Sequence, residues 1–229
     1  MLSEVERRPI TPAKLSRIRS GRHRRRYQSA LQAWAVYQNL VERLDRHAIH
    51  RAIQEHAIIA TDTPTLFEIL CTFETIDCLA DAGWQVQPLR LFEGGLRLTA
   101  ERDEETLELH YQGTPRALGR GSLYAATKRA HHLPGTGHRP DIVLRRRSLG
   151  HDQWLVIEIK GGKYELARYA IAALQDLLAY RRSFDPALRD ASRYGVGIAF
   201  GRELEPNLEA EVALCTLDKL PQALAPWIG

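Results

Sequence analysis

The chain has 229 residues, of which 44% are hydrophobic and 26% charged, and its formal net charge is +4. These values are those of an ordinary globular protein and exclude a disordered or collagen-like chain. The three cysteines, Cys71, Cys78 and Cys215, lack C-x-x-C spacing, which argues against a disulfide framework and a zinc site. No apolar run approaches the ~20 residues that span a bilayer, and the basic N-terminus lacks a signal peptide's apolar region. We therefore expect a soluble, cytoplasmic protein without a membrane partner.

Positive charge is concentrated near the N-terminus, where Arg24, Arg25 and Arg26 close a basic run. Such a run can neutralise phosphates, so these arginines are predicted to contact nucleic acid. The alternative is a solvated tail, and arginine outnumbers lysine 27 to 5 in the whole chain. Apolar residues then recur at helical spacing from Tyr27 to about His56. Residues 1–60 are therefore interpreted as a basic segment with a helical extension, whose apolar face packs on the core or forms a homodimer.

Residues 61–229 are interpreted as one further domain with alternating helices and strands. A helix is predicted from about Thr65 to Ala82, since Thr63 and Pro64 are typical of a helix start and Gly83 of a helix end. No element is predicted for residues 113–138, which are rich in Gly, Pro and His. The remaining predictions are strands at Trp84–Phe92, Gly95–Glu101, Thr106–Tyr111, Asp141–Arg147, Gln153–Lys160, Tyr194–Phe200 and Glu211–Thr216, and helices at Tyr164–Phe184 and Leu217–Leu224.

Two acids and a lysine fall at the ends of adjacent predicted strands. Asp141 follows Arg139-Pro140 at the start of one strand, and Glu158-Ile159-Lys160 ends the next. Because residues i and i+2 of a strand share a face, Glu158 and Lys160 point the same way, while Ile157 and Ile159 point into the core. A hairpin would bring Asp141 beside Glu158, and two close carboxylates repel each other unless a cation such as Mg²⁺ lies between them. The alternative is a solvated strand end with an ordinary Glu/Lys pair.

These residues resemble the defining motif of the PD-(D/E)XK nuclease superfamily. The resemblance implies an α/β fold with a restriction-endonuclease-like core, in which helices flank a mixed central sheet. It also implies a nuclease that cleaves DNA with Mg²⁺, for which Mn²⁺ substitutes, and in which Asp141, Glu158 and Lys160 are catalytic. The two acids and the Ile159 carbonyl would bind the metal. Many relatives add a glutamate from a preceding helix, so Glu68 is expected as a further catalytic residue and metal ligand, unless it is an ordinary surface acid.

The helix after the lysine carries a glutamine and a tyrosine that face the site in many relatives. Gln175 and Tyr180 are therefore expected to contact nucleic acid, together with Lys163 from the preceding loop. The spacing departs from the family pattern, because Asp176 stands four residues before Tyr180 and Gln175 stands five before it. The alternatives are a core position for Tyr180 and a solvated loop for Lys163.

The order of four short motifs is similar to that of the nuclease subunits of McrC type, which act in modification-dependent restriction. The motifs are Phe67-Glu68, Arg139-Pro140-Asp141, Glu158-Ile159-Lys160 and Ala179-Tyr180-Arg181. This resemblance implies a role in restriction or antiphage defence. The chain has no P-loop, so any NTP-driven motor would be a separate subunit. Two other hypotheses are an inactive nucleic-acid-binding module of nuclease fold, and a nuclease that acts on RNA or structured DNA.

Overall fold

The computed structural model describes residues 16–18, 20–21, 27–28, 31, 63–92, 95–132, 139–162, 165–189 and 191–229. The chain divides into two compact units, Met1–Ile59 and Ala60–Gly229. In the first unit, residues 16–18 are helical and the hydroxyl of Ser20 donates to the Ser16 carbonyl at 2.9 Å. The predicted nucleic-acid contacts Arg24, Arg25 and Arg26, and most of the predicted helix after them, lie outside the described residues.

In the described part of the second unit, eight strands form one mixed sheet. The strands are β1 (Gln85–Val86), β2 (Arg90–Phe92), β3 (Gly95–Arg102), β4 (Glu105–Tyr111), β5 (Ile142–Ser148), β6 (His151–Lys160), β7 (Gly195–Ala199) and β8 (Val212–Cys215). Strands β3 to β6 pair antiparallel in sequence order, whereas β6, β7 and β8 run parallel. Strands β1 and β2 both pair with β3 at the far edge.

Helices flank this sheet, which confirms the predicted α/β class. They are α1 (Thr63–Asp81), α2 (Arg116–Gly119), α3 (Leu123–Ala130), α4 (Leu166–Ser183), α5 (Asp185–Leu188) and α6 (Leu220–Ile228), with a 3-10 turn at Leu217–Lys219. Helix α4 is the crossover that a parallel β6–β7 pair requires. No described helix has the length and apolar character that crossing a membrane would need.

Helices α1 and α4 cover opposite faces of β6. Val156 belongs to a buried cluster with Leu177 and Tyr180 of α4. Five positions on, a side chain at Gly161 would meet the Phe67 ring of α1. Because side chains of a strand alternate between its faces, these two contacts lie on opposite sides of the sheet. All residues from Trp154 to Ile159 are buried, as expected for a strand covered on both faces.

Three predictions of secondary structure need correction. The predicted strand Trp84–Phe92 is two short strands, because its register on β3 shifts by one residue between the Val86–Ala100 and Arg90–Arg97 pairs, as in a β-bulge. Residues 113–132, for which no element was predicted, contain α2 and α3.

The last helix continues to Ile228 rather than ending at Leu224. Its final carbonyls are capped by side chains from distant strands and loops. The Trp84 indole donates to the Ile228 carbonyl at 3.0 Å, and Arg146 donates to the Trp227 carbonyl at 2.9 Å. Such caps satisfy the end of a helix but leave no local signal in its sequence.

Candidate active site

The β5–β6 hairpin sets the first acid against the strand that carries the second. Its register pairs Ile142 with Ile157, the first pair of the ladder at this end. Continued past the start of β5, the same register would set Asp141 opposite Glu158 and Pro140 opposite Ile159. The Asp141 carboxylate accepts the backbone N–H of Ile159 through Oδ2 at 2.8 Å. The N–H and C=O of one strand residue point to the same side, so the Ile159 carbonyl also faces Asp141. Because proline has no N–H, residue 140 cannot supply the ladder hydrogen bond to that carbonyl.

Glu158 is a buried carboxylate, and both of its oxygens accept hydrogen bonds. Its side chain is 4% exposed, and Lys160 Nζ lies 2.5 Å from Oε1. The Tyr180 hydroxyl of α4 donates to Oε2 at 3.0 Å. Burial raises the pKa of Glu158, and the hydrogen bonds from Lys160 and Tyr180 offset only part of this rise. The predicted common direction of Glu158 and Lys160 is confirmed, as are the buried positions of Ile157 and Ile159.

Lys160 bridges two acids. Besides Glu158, its ammonium contacts Asp176 Oδ2 of α4 at 2.7 Å. Burial alone would lower the pKa of Lys160, but the hydrogen bonds with Asp176 and Glu158 raise it above its ordinary value. The side chain therefore remains an ammonium at neutral pH. That state suits stabilisation of negative charge or the orientation of water, and it does not suit a general base.

Asp141 has a raised pKa. Burial first, and the negative charge of Glu158 second, raise its pKa to about 7, against the lowering effect of the Ile159 N–H. Both acids thus have raised pKa values, and a nearby cation would stabilise their ionised forms.

Glu68 joins this group through an amide that the sequence did not indicate. Gln112 Nε2 donates to Glu68 Oε2 at 2.8 Å and to Asp141 Oδ1 at 3.2 Å. The Tyr111 hydroxyl also donates to Glu68 Oε2, at 3.2 Å. Gln112 directly follows β4 and has a φ of 54°, a left-handed conformation that few residues other than glycine adopt. The amide thus holds both acids from one backbone position.

The residues predicted to contact nucleic acid lie in different surroundings. Gln175 is exposed, and the neighbouring Asp176 is the residue that contacts Lys160. Tyr180 is only 6% exposed and directs its hydroxyl at Glu158, away from solvent. Lys163 lies outside the described residues. The sequence contains one indication that Asp176 belongs to the site. It stands four residues before Tyr180, which puts the two side chains on the same face of the helix.

The donor set fits a hard divalent cation. Among the residues with described positions, no group of three or more His, Cys, Asp or Glu is arranged to hold a metal ion. Mg²⁺ takes only one or two carboxylates and keeps several waters, so it does not need such a group. Asp141, Glu158 and the Ile159 carbonyl offer hard oxygens from two paired strands. Glu68 is separated from Asp141 by the Gln112 amide.

Comparison with known proteins gives no match, whether to a family model, a curated protein or a solved structure. The function is therefore inferred from the geometry and chemistry of the site.

Proposed function

We propose that the chain is a divalent-cation-dependent nuclease that hydrolyses phosphodiester bonds in DNA, on a restriction-endonuclease-like core. The observation that carries the proposal is the pair of acids at the end of the β5–β6 hairpin, of which Glu158 is buried and Asp141 half-buried. Asp141 accepts the N–H of Ile159, the residue that follows Glu158, and the Lys160 ammonium contacts Glu158. Withdrawing two like charges from water, one fully and one in part, is costly unless they serve a purpose such as cation binding.

The charge of the site supports the need for a cation. Two carboxylates, on Glu158 and Asp176, contact a single ammonium, that of Lys160. The carboxylates of Asp141 and Glu68 share the Gln112 amide. Asp141 also lies close enough to feel the charges of Glu158 and Lys160. When all four acids are ionised, the formal charge of these five side chains is −3, and this charge repels a phosphate. A bound divalent ion would reduce this repulsion, polarise a phosphoryl oxygen and activate a water.

Each residue then has a distinct role. Asp141, Glu158 and the Ile159 carbonyl would hold the cation, and Lys160 would neutralise charge that develops on the phosphate. Tyr180 fixes the direction of Glu158, and Gln112 fixes Asp141 and Glu68. The buried Tyr180 acts here through Glu158 rather than by contact with DNA.

The biological setting is proposed from the sequence resemblance. The similarity to nuclease subunits of McrC type favours a role in restriction or antiphage defence, with a separate NTP-driven subunit as a partner. A homodimer would place two sites on the two strands of a duplex.

A cleavage assay tests the proposal. The protein is incubated with plasmid, linear, single-stranded and methylated DNA, and with RNA, in Mg²⁺, Mn²⁺ or EDTA. Asp141→Asn and Lys160→Met are compared with wild type. We expect cleavage of DNA with either metal, no cleavage in EDTA, and a fall of at least about 10²- to 10³-fold in both variants.

The matched control is Asp103→Asn, in the exposed turn at the other end of β4. Asp103 has a φ of 53°, which asparagine tolerates, so this variant should cleave like wild type. Cleavage that persists in both site variants would reject the site. DNA binding without cleavage in any metal would favour an inactive binding module, and cleavage of RNA alone would change the substrate.

A further inference from the structure

Asp176 is the exposed partner of the site lysine. It lies on α4, one turn before Tyr180, and its side chain is 46% exposed. Its Oδ2 is 2.7 Å from Lys160 Nζ, while Glu158 Oε1 holds the same nitrogen from the buried side at 2.5 Å. A lysine ammonium has three N–H donors. In Lys160, the two carboxylates can accept two of these three donors.

The two acids hold Lys160 with different strength. Glu158 is 4% exposed and cannot turn to bulk water, and its second oxygen is fixed by Tyr180. Asp176 is half exposed, so water competes for its carboxylate and salt screens the ion pair. An anion that approaches Lys160 from solvent would therefore displace Asp176 and leave the contact with Glu158 in place.

The carboxylate of Asp176 thus occupies the position on Lys160 that a phosphate oxygen would take. It also adds one negative charge to a group that already contains Glu68, Asp141 and Glu158. Both effects weaken the binding of a nucleic acid until a cation adds positive charge to the site. Neither effect involves the packing of the core, because Asp176 lies on the solvent side of Lys160.

We propose that Asp176 is an electrostatic gate, which makes nucleic-acid binding at this site depend on a bound divalent cation. This inference rests on the proposed nuclease function and assigns a regulation to the same site. The change Asp176→Asn keeps the size and one oxygen acceptor but removes the charge. Asp176→Glu keeps the charge, so it should retain the dependence on the cation.

The test is the affinity for a fluorescein-labelled DNA duplex, measured by fluorescence anisotropy in EDTA and in Ca²⁺. In EDTA we expect Asp176→Asn to bind about 5- to 10-fold more tightly than wild type, since one like charge is removed beside the phosphate. In Ca²⁺ the difference should shrink to within about twofold, because the cation then offsets the charge of the site. Asp176→Glu should follow wild type in both conditions.

Asp103→Asn removes the same charge at the far end of β4 and controls for net charge. Thermal unfolding of all variants should be unchanged and confirms that they are folded. If Asp176→Asn binds no more tightly in EDTA than Asp103→Asn, while wild type binds in Ca²⁺, the gate is rejected and the proposed function stands. If no variant binds DNA in either condition, the proposed function and the gate both fail.

Discussion

The carboxylate of Asp141 and the backbone N–H of Ile159 are joined by a hydrogen bond of 2.8 Å. This bond replaces the one that Ile159 would make to residue 140 in a regular ladder. The same residue of β6 thus fixes the first acid through its N–H and presents its carbonyl beside it. Pro140 is what keeps that carbonyl out of the ladder, since it has no N–H to donate.

Pro140→Ala should therefore weaken cation binding. Alanine supplies an N–H that can donate to the Ile159 carbonyl and extend the hairpin by one hydrogen bond. We expect the Kd for Mn²⁺ to rise by about 5- to 10-fold in isothermal titration calorimetry, a change of about 1 kcal/mol. The stability without metal should change little, because a new hydrogen bond offsets the greater freedom of the unfolded chain.

Pro88→Ala is the control for this substitution, because Pro88 lies between β1 and β2 at the far edge of the sheet. It should bind Mn²⁺ as wild type does. An unchanged Mn²⁺ affinity in Pro140→Ala would mean that the Ile159 carbonyl takes no part in the site.

The ionisation of Asp141 should lower the free energy of unfolding as the pH rises. Burial and the charge of Glu158 raise its pKa from 3.8 to about 7 in the folded state. Between these values the unfolded chain ionises at this residue before the folded one does, so the free energy of unfolding falls from about pH 4 and stops falling above pH 7. Asp141→Asn removes this effect but keeps an oxygen acceptor for the Ile159 N–H.

The measurement is the Tm in EDTA as a function of pH. Asp141→Asn should match wild type near pH 4 and exceed its Tm at pH 8, by several degrees for a change of a few kcal/mol. Asp103→Asn should run parallel to wild type throughout. A difference between Asp141→Asn and wild type that is the same at every pH would show that Asp141 ionises at its ordinary pKa.

Tyr180→Phe separates the positioning of Glu158 from contact with DNA. The ring should stay in place against Phe184, whose centroid is 6.1 Å away, while Glu158 loses a hydrogen bond of 3.0 Å. We expect the cleavage rate to fall about tenfold, the free energy of unfolding to fall by about 1 kcal/mol, and the Kd for DNA to stay within about twofold. Tyr124→Phe, on the exposed tyrosine of α3, should change none of these. Weaker DNA binding with an unchanged rate would instead support a direct contact of Tyr180 with nucleic acid.

The part of the site that lies on one hairpin could be predicted from the sequence. Alternation along Glu158-Ile159-Lys160 fixes which side chains share a face, and a short turn brings Asp141 to the same end. These relations depend on local geometry alone. The register also gives Pro140 a role, because another residue at this position would have an N–H to donate to the Ile159 carbonyl.

The parts supplied by other elements could not be predicted in the same way. Gln112 meets Asp141 across 29 positions and Glu68 across 44, and its role depends on how α1 lies on the sheet. Asp176 contacts Lys160 because α4 crosses over β6, and the family pattern drew attention to Gln175 instead. Contacts of this kind depend on tertiary packing, which periodicity along the chain does not encode.

The close approach of α1 to the end of β6 gives a last prediction. A Cβ at Gly161 would lie 2.8 Å from Phe67 Cδ1, 3.3 Å from Phe67 Cγ and 3.5 Å from Phe200 Cβ. The Phe67 ring is held edge-to-face on Phe200 with centroids 5.1 Å apart, so it has little room to move. Gly161→Ala should therefore lower the free energy of unfolding by about 1–3 kcal/mol in chemical denaturation. The cleavage rate should also fall, because displacement of Phe67 moves the adjacent Glu68.

Gly119→Ala is the matched control, at the end of the short helix α2. The nearest atom to its added Cβ would be Thr114 Cγ2 at 4.0 Å, so no neighbour must shift. Alanine also favours helical backbone over glycine, and the free energy of unfolding should stay the same or rise by up to about 1 kcal/mol. If the two variants are equally stable, then α1 is not packed on the end of β6 as closely as the Gly161–Phe67 distances require. The position of Glu68 at the site would then lose its structural support, because α1 carries that residue.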